Sequence, residues 1–293
     1  MSENETIKQY TSLLRLATVA AVVTAVILII IKLYAWILTD STAILASLID
    51  STIDLVASGV NFFVIHYSLM PADNEHRFGH GKAEPLAALA QSTFIVGSVV
   101  FLLLETTERL FNPQAVSNID TGLIVMGLST VATLMLVLLQ RYVINKTQSS
   151  AIKADSMHYT SDLLGNVGII IALVLGAYGF VGVDILAALL ISLFLLIGAY
   201  KIGTDALNNL LDHSLPDNIE QDISNIATRH EWVNGIHELR TRKSGPMQFI
   251  QLHLELPESM MLKQAHAISD EIEAEILATY PNSDIIIHKD PVA

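Results

Sequence analysis

Long apolar segments recur along the chain up to residue 205, and short polar stretches separate them. A transmembrane helix needs about 20 consecutive, mostly apolar residues to cross the hydrocarbon core of a bilayer. Six segments reach that length, so the pattern predicts an α-helical membrane protein with a six-helix bundle. The segments lie near Leu13–Leu38, Ala43–Tyr67, Pro85–Phe111, Thr121–Val143, Ala151–Ala177 and Val183–Asp205.

Beyond residue 208 the apolar segments become short and alternate between helical and strand spacing. The order αββαβ favours a small two-layer α/β domain of the ferredoxin or metallochaperone kind, with helices on one face of a sheet. We therefore predict a transmembrane domain over residues 1–208 and a cytoplasmic domain over residues 209–293. The predicted elements are Asp217–His230, Gly235–Lys243, Met247–Leu256, Met260–Tyr280 and Asp284–His288.

The composition agrees with a membrane protein and narrows its chemistry. Hydrophobic residues make up 52% of the chain and charged residues 15%, and the mean hydropathy is +0.51. A formal charge of -13 argues against nucleic acid as a partner, because phosphate backbones attract basic proteins. Cysteine is absent, so any metal ion has to be held by histidine and carboxylate side chains.

Lysine and arginine residues concentrate on one side of the predicted bundle. The positive-inside rule then places both chain ends in the cytoplasm. Lys32 is different, because it lies inside the first apolar segment and must reach the interface or face a polar interior. The residues on the cytoplasmic side are Lys8, Arg15, Arg77, Lys82, Arg141, Lys146, Lys153 and Lys201.

Two pairs of metal-ligand residues lie inside the apolar segments. Asp50 and Asp54 are four residues apart in the second segment, and His158 and Asp162 have the same spacing in the fifth. Residues four apart on a helix project from one face. An acid in the middle of a membrane helix costs roughly 2.5–3.5 kcal/mol on insertion scales, so the pairs need compensation. Three carboxylates and an imidazole suit a tetrahedral divalent ion, above all zinc.

Other interpretations of these pairs remain open. Each acid could line a wet cavity or pair with a base, although neither stretch contains Lys or Arg. A membrane-embedded metalloenzyme is a second alternative, but His237-Glu238 is followed by Thr241 where a zinc protease needs histidine. A third is a membrane-anchored metal sensor, in which cytoplasmic sites bind metal and the helices transmit the signal.

The loop between the second and third segments, residues 68–84, carries a second candidate site. Asp73, His76 and His80 have the spacing of metal ligands, and Gly79 and Gly81 allow a tight backbone turn. With three ligands such a site would be weak or regulatory. The alternative is an ordinary polar turn on the cytoplasmic side.

The predicted cytoplasmic domain contains a third group of candidate ligands. His253 lies on the opposite strand face from the apolar residues Leu252 and Leu254, and His288 and Asp290 share a face of the last strand. Four imidazoles and one carboxylate could hold two metal ions, with Asp290 bridging them. The alternative is scattered surface histidine. The full set is His237, His253, His266, His288 and Asp290.

These motifs together resemble the cation diffusion facilitator family, in particular its bacterial zinc-exporting branch, over essentially the whole chain. The four-ligand motif is similar to the family's transport site, and segments 78–84 and 211–217 resemble its loop motif and its entry into the cytoplasmic domain. The resemblance implies a zinc/proton antiporter, not an enzyme, in the bacterial inner membrane. It also implies a V-shaped homodimer surrounded by lipid, with the cytoplasmic domains in contact.

The resemblance also implies roles for individual residues. In the family, a histidine at the position of His158 goes with zinc or cadmium, and iron(II) stays possible. Lys82 and Asp212 match a charge interlock near the dimer interface, and Met157 stands where relatives carry a hydrophobic gate residue. The loop ligands and the cytoplasmic ligands match further metal sites, so zinc is expected both as the transported ion and as a structural or regulatory ion.

Overall fold

Six long helices make up most of the chain in the computed structural model, which describes residues 3–39, 42–111, 119–177 and 183–292. Three of them, the first, fourth and sixth, extend four or more residues beyond the apolar segments, where helical backbone continues into flanking polar sequence. The six helices are α1 (Glu3–Thr39), α2 (Thr42–Ser68), α3 (Ala83–Phe111), α4 (Ile119–Thr147), α5 (Ser150–Ala177) and α6 (Val183–Leu210).

Five of these helices contain a described segment long and apolar enough to cross a membrane. This makes the chain an integral membrane protein with a helical transmembrane domain. The described residues of α5 contain no such segment, so the spanning role of α5 stays a prediction. The five segments are Lys8–Thr39, Ser47–Ser68, Ala83–Glu108, Ile124–Thr147 and Ile185–Leu210.

The chain divides into two compact units, and one of them comprises Ser12–Ser68 and Ala83–Leu207. Within this unit, α5 packs against α2, α3 and α4. Ala88, Ala154 and Ala206 meet in one buried cluster. Lipid provides no hydrophobic force between membrane helices, so their association depends on close packing. Small side chains allow that close approach. Because α5 touches both α2 and α3, several of its polar residues are buried, among them Asp155, His158 and Thr160.

The other unit comprises Met1–Thr11, Leu69–Lys82 and Asn208–Ala293, and its folded part is a three-stranded sheet with two helices. Strand β2 occupies the centre, antiparallel to β1 and parallel to β3. The element order αββαβ matches the prediction. The elements are α7 (Asp217–Ala227), β1 (Gly235–Ser244), β2 (Met247–Pro257), α8 (Leu262–Thr279) and β3 (Ser283–Val292).

One face of this sheet forms the core of the small domain. Alternate residues of β2 point to the same face of a strand, and four of them are buried. They pack against apolar residues of α7 and α8, which leaves the other face of the sheet uncovered by those helices. The buried residues of this core include Ile223, Ile226, Ile250, Leu252, Leu254, Leu256, Ile268, Ile272 and Ile276.

In the small domain, two element ends differ from the sequence predictions by three or more residues, and the others differ by two at most. Helix α7 ends at Ala227, three residues before the predicted end at His230. Strand β3 continues to Val292 and not to His288, and Pro291 pairs with Leu256 inside it. A proline is tolerated here because β3 is an edge strand, where a missing N–H does not interrupt a ladder. The longer strand keeps Asp290 inside the sheet, beside Glu255 of β2.

Candidate metal sites

Helices α2 and α5 bring three of the four predicted intramembrane ligands together. His158 Nε2 lies 2.9 Å from Asp54 Oδ1 and 4.0 Å from Asp162 Oδ2. One ligand atom from each of the three residues lies within 4.8 Å of the others. His158 is buried, whereas the Asp54 and Asp162 side chains keep partial exposure. Two carboxylates and an imidazole at these distances could bind one metal ion after small side-chain movements.

Asp50, the fourth predicted ligand, lies outside that group of three in the described part of the chain. It is one helical turn from Asp54 on α2, and a turn advances about 5.4 Å along the axis. Asp50 does interact electrostatically with Asp162. Asp50 therefore lies near the group, and its part in metal binding stays a prediction.

Aromatic and polar side chains surround His158. The Phe94 ring meets the His158 ring edge to face at a centroid distance of 5.7 Å. The Tyr159 hydroxyl lies 2.7 Å from Ser58 Oγ, and both residues are almost fully buried. These contacts hold α5 against α2 and orient the segment that carries His158.

A buried carboxylate that the sequence analysis missed lies one turn before His158. Asp155 is fully buried and accepts a hydrogen bond of 2.7 Å from Gln140 Nε2. Asn61 and Gln91 face the same carboxylate. The sequence signal was available, since Asn61, Gln91 and Gln140 are carboxamides within apolar segments. Each of the three comes from a different helix, so their convergence depends on helix rotation.

Lys32 is the second polar residue whose partners the sequence analysis missed. Its ammonium donates hydrogen bonds to Ser51 Oγ at 2.7 Å and to the Ser47 carbonyl oxygen at 3.1 Å. Both acceptors belong to α2, in the same turns as Asp50 and Asp54. The expectation that Lys32 faces a polar interior is therefore correct. The base absent from the two ligand stretches is supplied by α1.

Met157, the predicted gate residue, packs within the bundle. Its side chain contributes to two apolar clusters that include residues of α3 and α6. It lies directly over Gly198 of α6, where any Cβ would collide with the Met157 methyl group. Gly198 thus makes room for Met157. The gating role itself stays a prediction.

The loop after α2 brings Asp73, His76 and His80 together. The Asp73 carboxylate lies 3.4 Å from His76 Nδ1 and 3.4 Å from His80 Nε2. The backbone N–H groups of His76 and Glu75 donate to Asp73 Oδ1. These hydrogen bonds, of which the one from His76 has the largest effect, lower the pKa of Asp73 below its usual value and favour its anionic form. Gly79 has φ +77°, which a glycine adopts without strain.

The uncovered face of the sheet holds four of the five predicted cytoplasmic ligands. Asp290 Oδ2 lies 2.7 Å from His253 Nδ1 and 3.1 Å from His237 Nε2, while Asp290 Oδ1 lies 3.1 Å from His288 Nε2. The two carboxylate oxygens thus face different imidazoles, as a bridging ligand would. The hydrogen bond from His253 is the main reason that the pKa of Asp290 is held below its usual value.

Strand register explains this convergence. His237 pairs with His253 across β1 and β2, and His253 pairs with His288 across β2 and β3. Glu255 is two residues after His253, and its Oε1 lies 3.1 Å from His237 Nδ1. Sequence reasoning missed Glu255, although the shared strand face with His253 was a sufficient signal.

His266, the fifth predicted cytoplasmic ligand, does not join this cluster within the chain. It lies on α8 with an exposed side chain, and its Nδ1 is 3.4 Å from Asp270 Oδ1. The helix covers the apolar face of the sheet, whereas the other histidines lie on the opposite face. The structure of one chain therefore places His266 apart from the other histidines, and its part in the cluster stays a prediction.

Lys82 and Asp212, the predicted charge interlock, are in contact at 2.9 Å. Lys82 also donates to the Asn209 carbonyl oxygen. The hydrogen bond from Lys82 is the main cause that lowers the pKa of Asp212. Arg242, which the sequence analysis did not single out, lies 3.5 Å from Asp212. Its guanidinium also stacks on the rings of Phe78 and Phe249, at 5.0 and 4.4 Å from their centroids.

A bundle of apolar helices with buried metal-ligand side chains, followed by a small α/β domain with a histidine cluster, defines a metal-handling membrane protein. Residues 18–211 match the family model of the cation efflux transmembrane domain. Residues 215–292 match that of the cytoplasmic domain of cation efflux proteins. The chain therefore belongs to the cation efflux family, also called the cation diffusion facilitators.

Curated cation-efflux pumps match this chain over nearly its full length. The cation-efflux pump FieF of Yersinia enterocolitica is 49% identical over 97% of this chain and 95% of its own. FieF of Citrobacter koseri is 48% identical over 96% of this chain and 94% of its own. Among solved structures, the metal-bound C-terminal domain of the CzcD transporter from Thermotoga maritima is 29% identical, covering 25% of this chain and 87% of its own with a TM-score of 0.25. The protein is a divalent-metal efflux transporter and not an enzyme.

Proposed function

We propose that the protein exports zinc from the cytoplasm in exchange for protons, through a site formed by Asp50, Asp54, His158 and Asp162. The observation that carries this proposal is the grouping of Asp54, His158 and Asp162 inside the bundle, with ligand atoms within 4.8 Å of one another. Oxygen and nitrogen ligands of this kind suit zinc, and they accept cadmium and iron(II) to some degree.

Completion of the site requires Asp50 to approach the other three ligands. A divalent ion bound between Asp54, His158 and Asp162 would attract the Asp50 carboxylate, one turn away on the same helix. Four protein ligands would then enclose the ion and leave no open position for an activated water. Such closure suits carriage of an ion and disfavours hydrolysis, in keeping with a transporter.

Proton exchange follows from the chemistry of the ligands. Carboxylate and imidazole must lose their protons to bind a metal ion, so metal binding releases protons and protonation releases metal. At the cytoplasmic face the deprotonated site would capture zinc. After the bundle opens to the other side, protons would compete the ion off. Antiport needs no covalent step.

The cytoplasmic cluster and the loop site support a regulatory and structural role in this proposal. Asp290 with its three histidines and Asp73 with two would bind cytosolic zinc and stabilise a homodimer of the small domains. The matching cytoplasmic-domain family and the outward-facing histidines support this assignment. We place the protein in the bacterial inner membrane with both chain ends in the cytoplasm, in line with its lysine and arginine distribution.

Zinc flux into proteoliposomes under an imposed pH gradient tests the proposal. Wild-type flux should follow the gradient, and Asp54→Ala should abolish it. Asp284→Ala is the matched control, because Asp284 is an exposed carboxylate on β3 outside every candidate site. Flux retained by Asp54→Ala would contradict the proposed site. Zinc binding without flux in the wild type would favour the metal-sensor interpretation instead.

A further inference from the structure

A lysine lies beside the candidate transport site, in the last third of α1. Lys32 falls within the apolar span Lys8–Thr39, and 9% of the residue is exposed. A lysine at the centre of a membrane helix costs roughly 2.5–3.5 kcal/mol on insertion scales, and the cost is smaller toward a helix end. Because the protein buries the Lys32 side chain, its charge still needs a compensating partner inside the protein.

The hydrogen bonds of Lys32 fix its ammonium group but do not neutralise it. Ser51 Oγ and the Ser47 carbonyl oxygen, its acceptors on α2, are both neutral. An ammonium group has three N–H donors, and these bonds aim it at the stretch of α2 that carries the two acids. The compensating charge would come from Asp54, Asp162 and Asp50, whose attraction for the ammonium group opposes the larger unfavourable effect of its burial.

Charge counting shows what this arrangement achieves once metal is bound. Metal-binding carboxylates are ionised, so Asp50, Asp54 and Asp162 would carry three negative charges around a neutral imidazole. A divalent ion cancels two of them. In a membrane interior the remaining negative charge would be costly, and Lys32 supplies the one positive charge that makes the loaded site neutral.

We propose that Lys32 is the fixed counter-cation of the transport site, and that its charge keeps a bound divalent metal ion weakly enough held to be released. This inference rests on the proposed function. The positive charge of Lys32 repels the bound ion and attracts the same carboxylates. It therefore limits the affinity of the site for the ion without contacting the ion. Lys32 is therefore a positioning residue that sets the balance between capture and release.

The test measures zinc affinity and zinc flux for Lys32→Met and Lys32→Arg. Both are made in full-length protein whose other sites are disabled by Asp73→Asn and Asp290→Asn, so that binding reports the intramembrane site. Methionine keeps the length of the side chain without its charge, and arginine keeps the charge. Zinc affinity is measured in detergent by competition with a chromophoric chelator.

We expect Lys32→Met to bind zinc more tightly, by on the order of tenfold or more, since a positive charge near a divalent ion is removed from a region of low dielectric constant. In proteoliposomes its KM and its maximal flux should both fall, because release becomes slow. Lys32→Arg should stay within about threefold of the parent in affinity, on the same electrostatic argument.

Unchanged affinity in Lys32→Met would overturn the inference, because the charge would then not be felt at the site. Weaker affinity would also overturn it and assign Lys32 a role in holding α1 against α2. Asp54→Ala in the same background separates this failure from failure of the proposed function. If Asp54→Ala keeps its zinc binding, the site itself is misplaced; if binding is lost, only the role of Lys32 is in question.

Discussion

The intramembrane site and the cytoplasmic cluster use the same two chemical groups but assemble them differently. In the membrane, Asp54, His158 and Asp162 meet because two helices pack side by side, and the spacing of four residues aligns each pair. In the cytoplasmic domain, His237 and His253 face each other because strand register pairs them, and Asp290 lies one strand further on. Helix packing can change by rotation or tilt, whereas a sheet register is fixed. The difference suits a moving site and a static one.

The two sites also differ in how their charges are compensated. The histidines around Asp290 have exposed or half-exposed side chains, so water and neighbouring carboxylates stabilise the charge of the cluster. The intramembrane ligands have Lys32 beside them, and the nearby Asp155 carboxylate is held by Gln140. A site inside a membrane requires the protein to provide the compensation that water provides outside.

The largest expected effect separates the two sites by function. His158→Ala removes the imidazole of the proposed intramembrane site. Loss of a residue that only supports a metal ligand typically costs about 10–100-fold, so loss of a proposed ligand should lower zinc flux in proteoliposomes by more than that. His253→Ala, the matched change in the cytoplasmic cluster, should retain most of the flux when zinc is saturating. Equal losses in the two variants would remove the functional distinction between the sites.

The second effect concerns the dimer. Replacing His253 and His288 together with alanine should weaken the dimer more than it reduces transport, because zinc at the cluster would no longer stabilise the folded pair. A ligand at about 100 times its dissociation constant contributes about 2.7 kcal/mol. Dimer dissociation in detergent, followed by analytical ultracentrifugation with and without a chelator, measures the change.

His266→Ala tests the remaining predicted ligand in the same experiment. Within the chain the structure keeps His266 away from the other histidines, so a cluster formed by one chain predicts that this variant responds to the chelator as the wild type does. A wild-type dimer that ignores the chelator, or a double variant as stable as the wild type, contradicts the structural role of the cluster.

Much of the arrangement could be predicted because it follows from short-range periodicity. The four-residue spacing on α2 and α5 was sufficient to predict that Asp54, His158 and Asp162 lie together, and alternation along β2 placed His253 opposite Leu252 and Leu254. The same reasoning explains why His266 lies apart from the cluster within one chain. Helix α8 buries Ile268, and a residue two positions earlier points about 200° away from it.

Contacts between helices could not be predicted in the same way. Whether Lys32 faces α2 or the lipid depends on the rotation of α1, and periodicity around a nearly uniformly apolar helix carries little information about rotation. The hydrogen bond between Gln140 and Asp155 also depends on helix rotation, so it could not be predicted either. The position of Asp50 relative to the other ligands also depends on how α2 and α5 cross, which explains why four aligned ligands were predicted and three are grouped.

A third effect tests compensation inside the membrane domain. Gln140→Leu removes the hydrogen bond to the fully buried Asp155 carboxylate, and leaving such an acceptor without a donor costs about 1–3 kcal/mol, more if it is charged. The melting temperature in detergent should therefore fall. The double variant Gln140→Leu/Asp155→Leu should recover part of the loss, since it removes both partners. A single variant as stable as the wild type would mean that Asn61 and Gln91 suffice.

The smallest expected effect concerns the contact between Lys82 and Asp212, which lies outside the membrane-spanning segments. Lys82 lowers the pKa of Asp212, so ionised Asp212 stabilises the folded state above its unfolded-state pKa of 3.8. That contribution is lost as the pH falls through the lower folded-state pKa. Because the carboxylate is largely exposed, the contribution at neutral pH is expected to be about 0–1 kcal/mol.

Asp212→Asn isolates this contribution, because Asp212 has φ +58° and asparagine tolerates the same left-handed backbone. At pH 7 the variant should melt slightly below the wild type, and the difference should begin to shrink near pH 4 and vanish once the pH lies below the lowered folded-state pKa of Asp212. Melting curves of both proteins between about pH 2 and pH 7 measure it. A difference that does not shrink below about pH 4 would assign the effect to hydrogen bonding and not to charge. The contact would then resemble the neutral compensation at Gln140 more than the ionic compensation at Lys32.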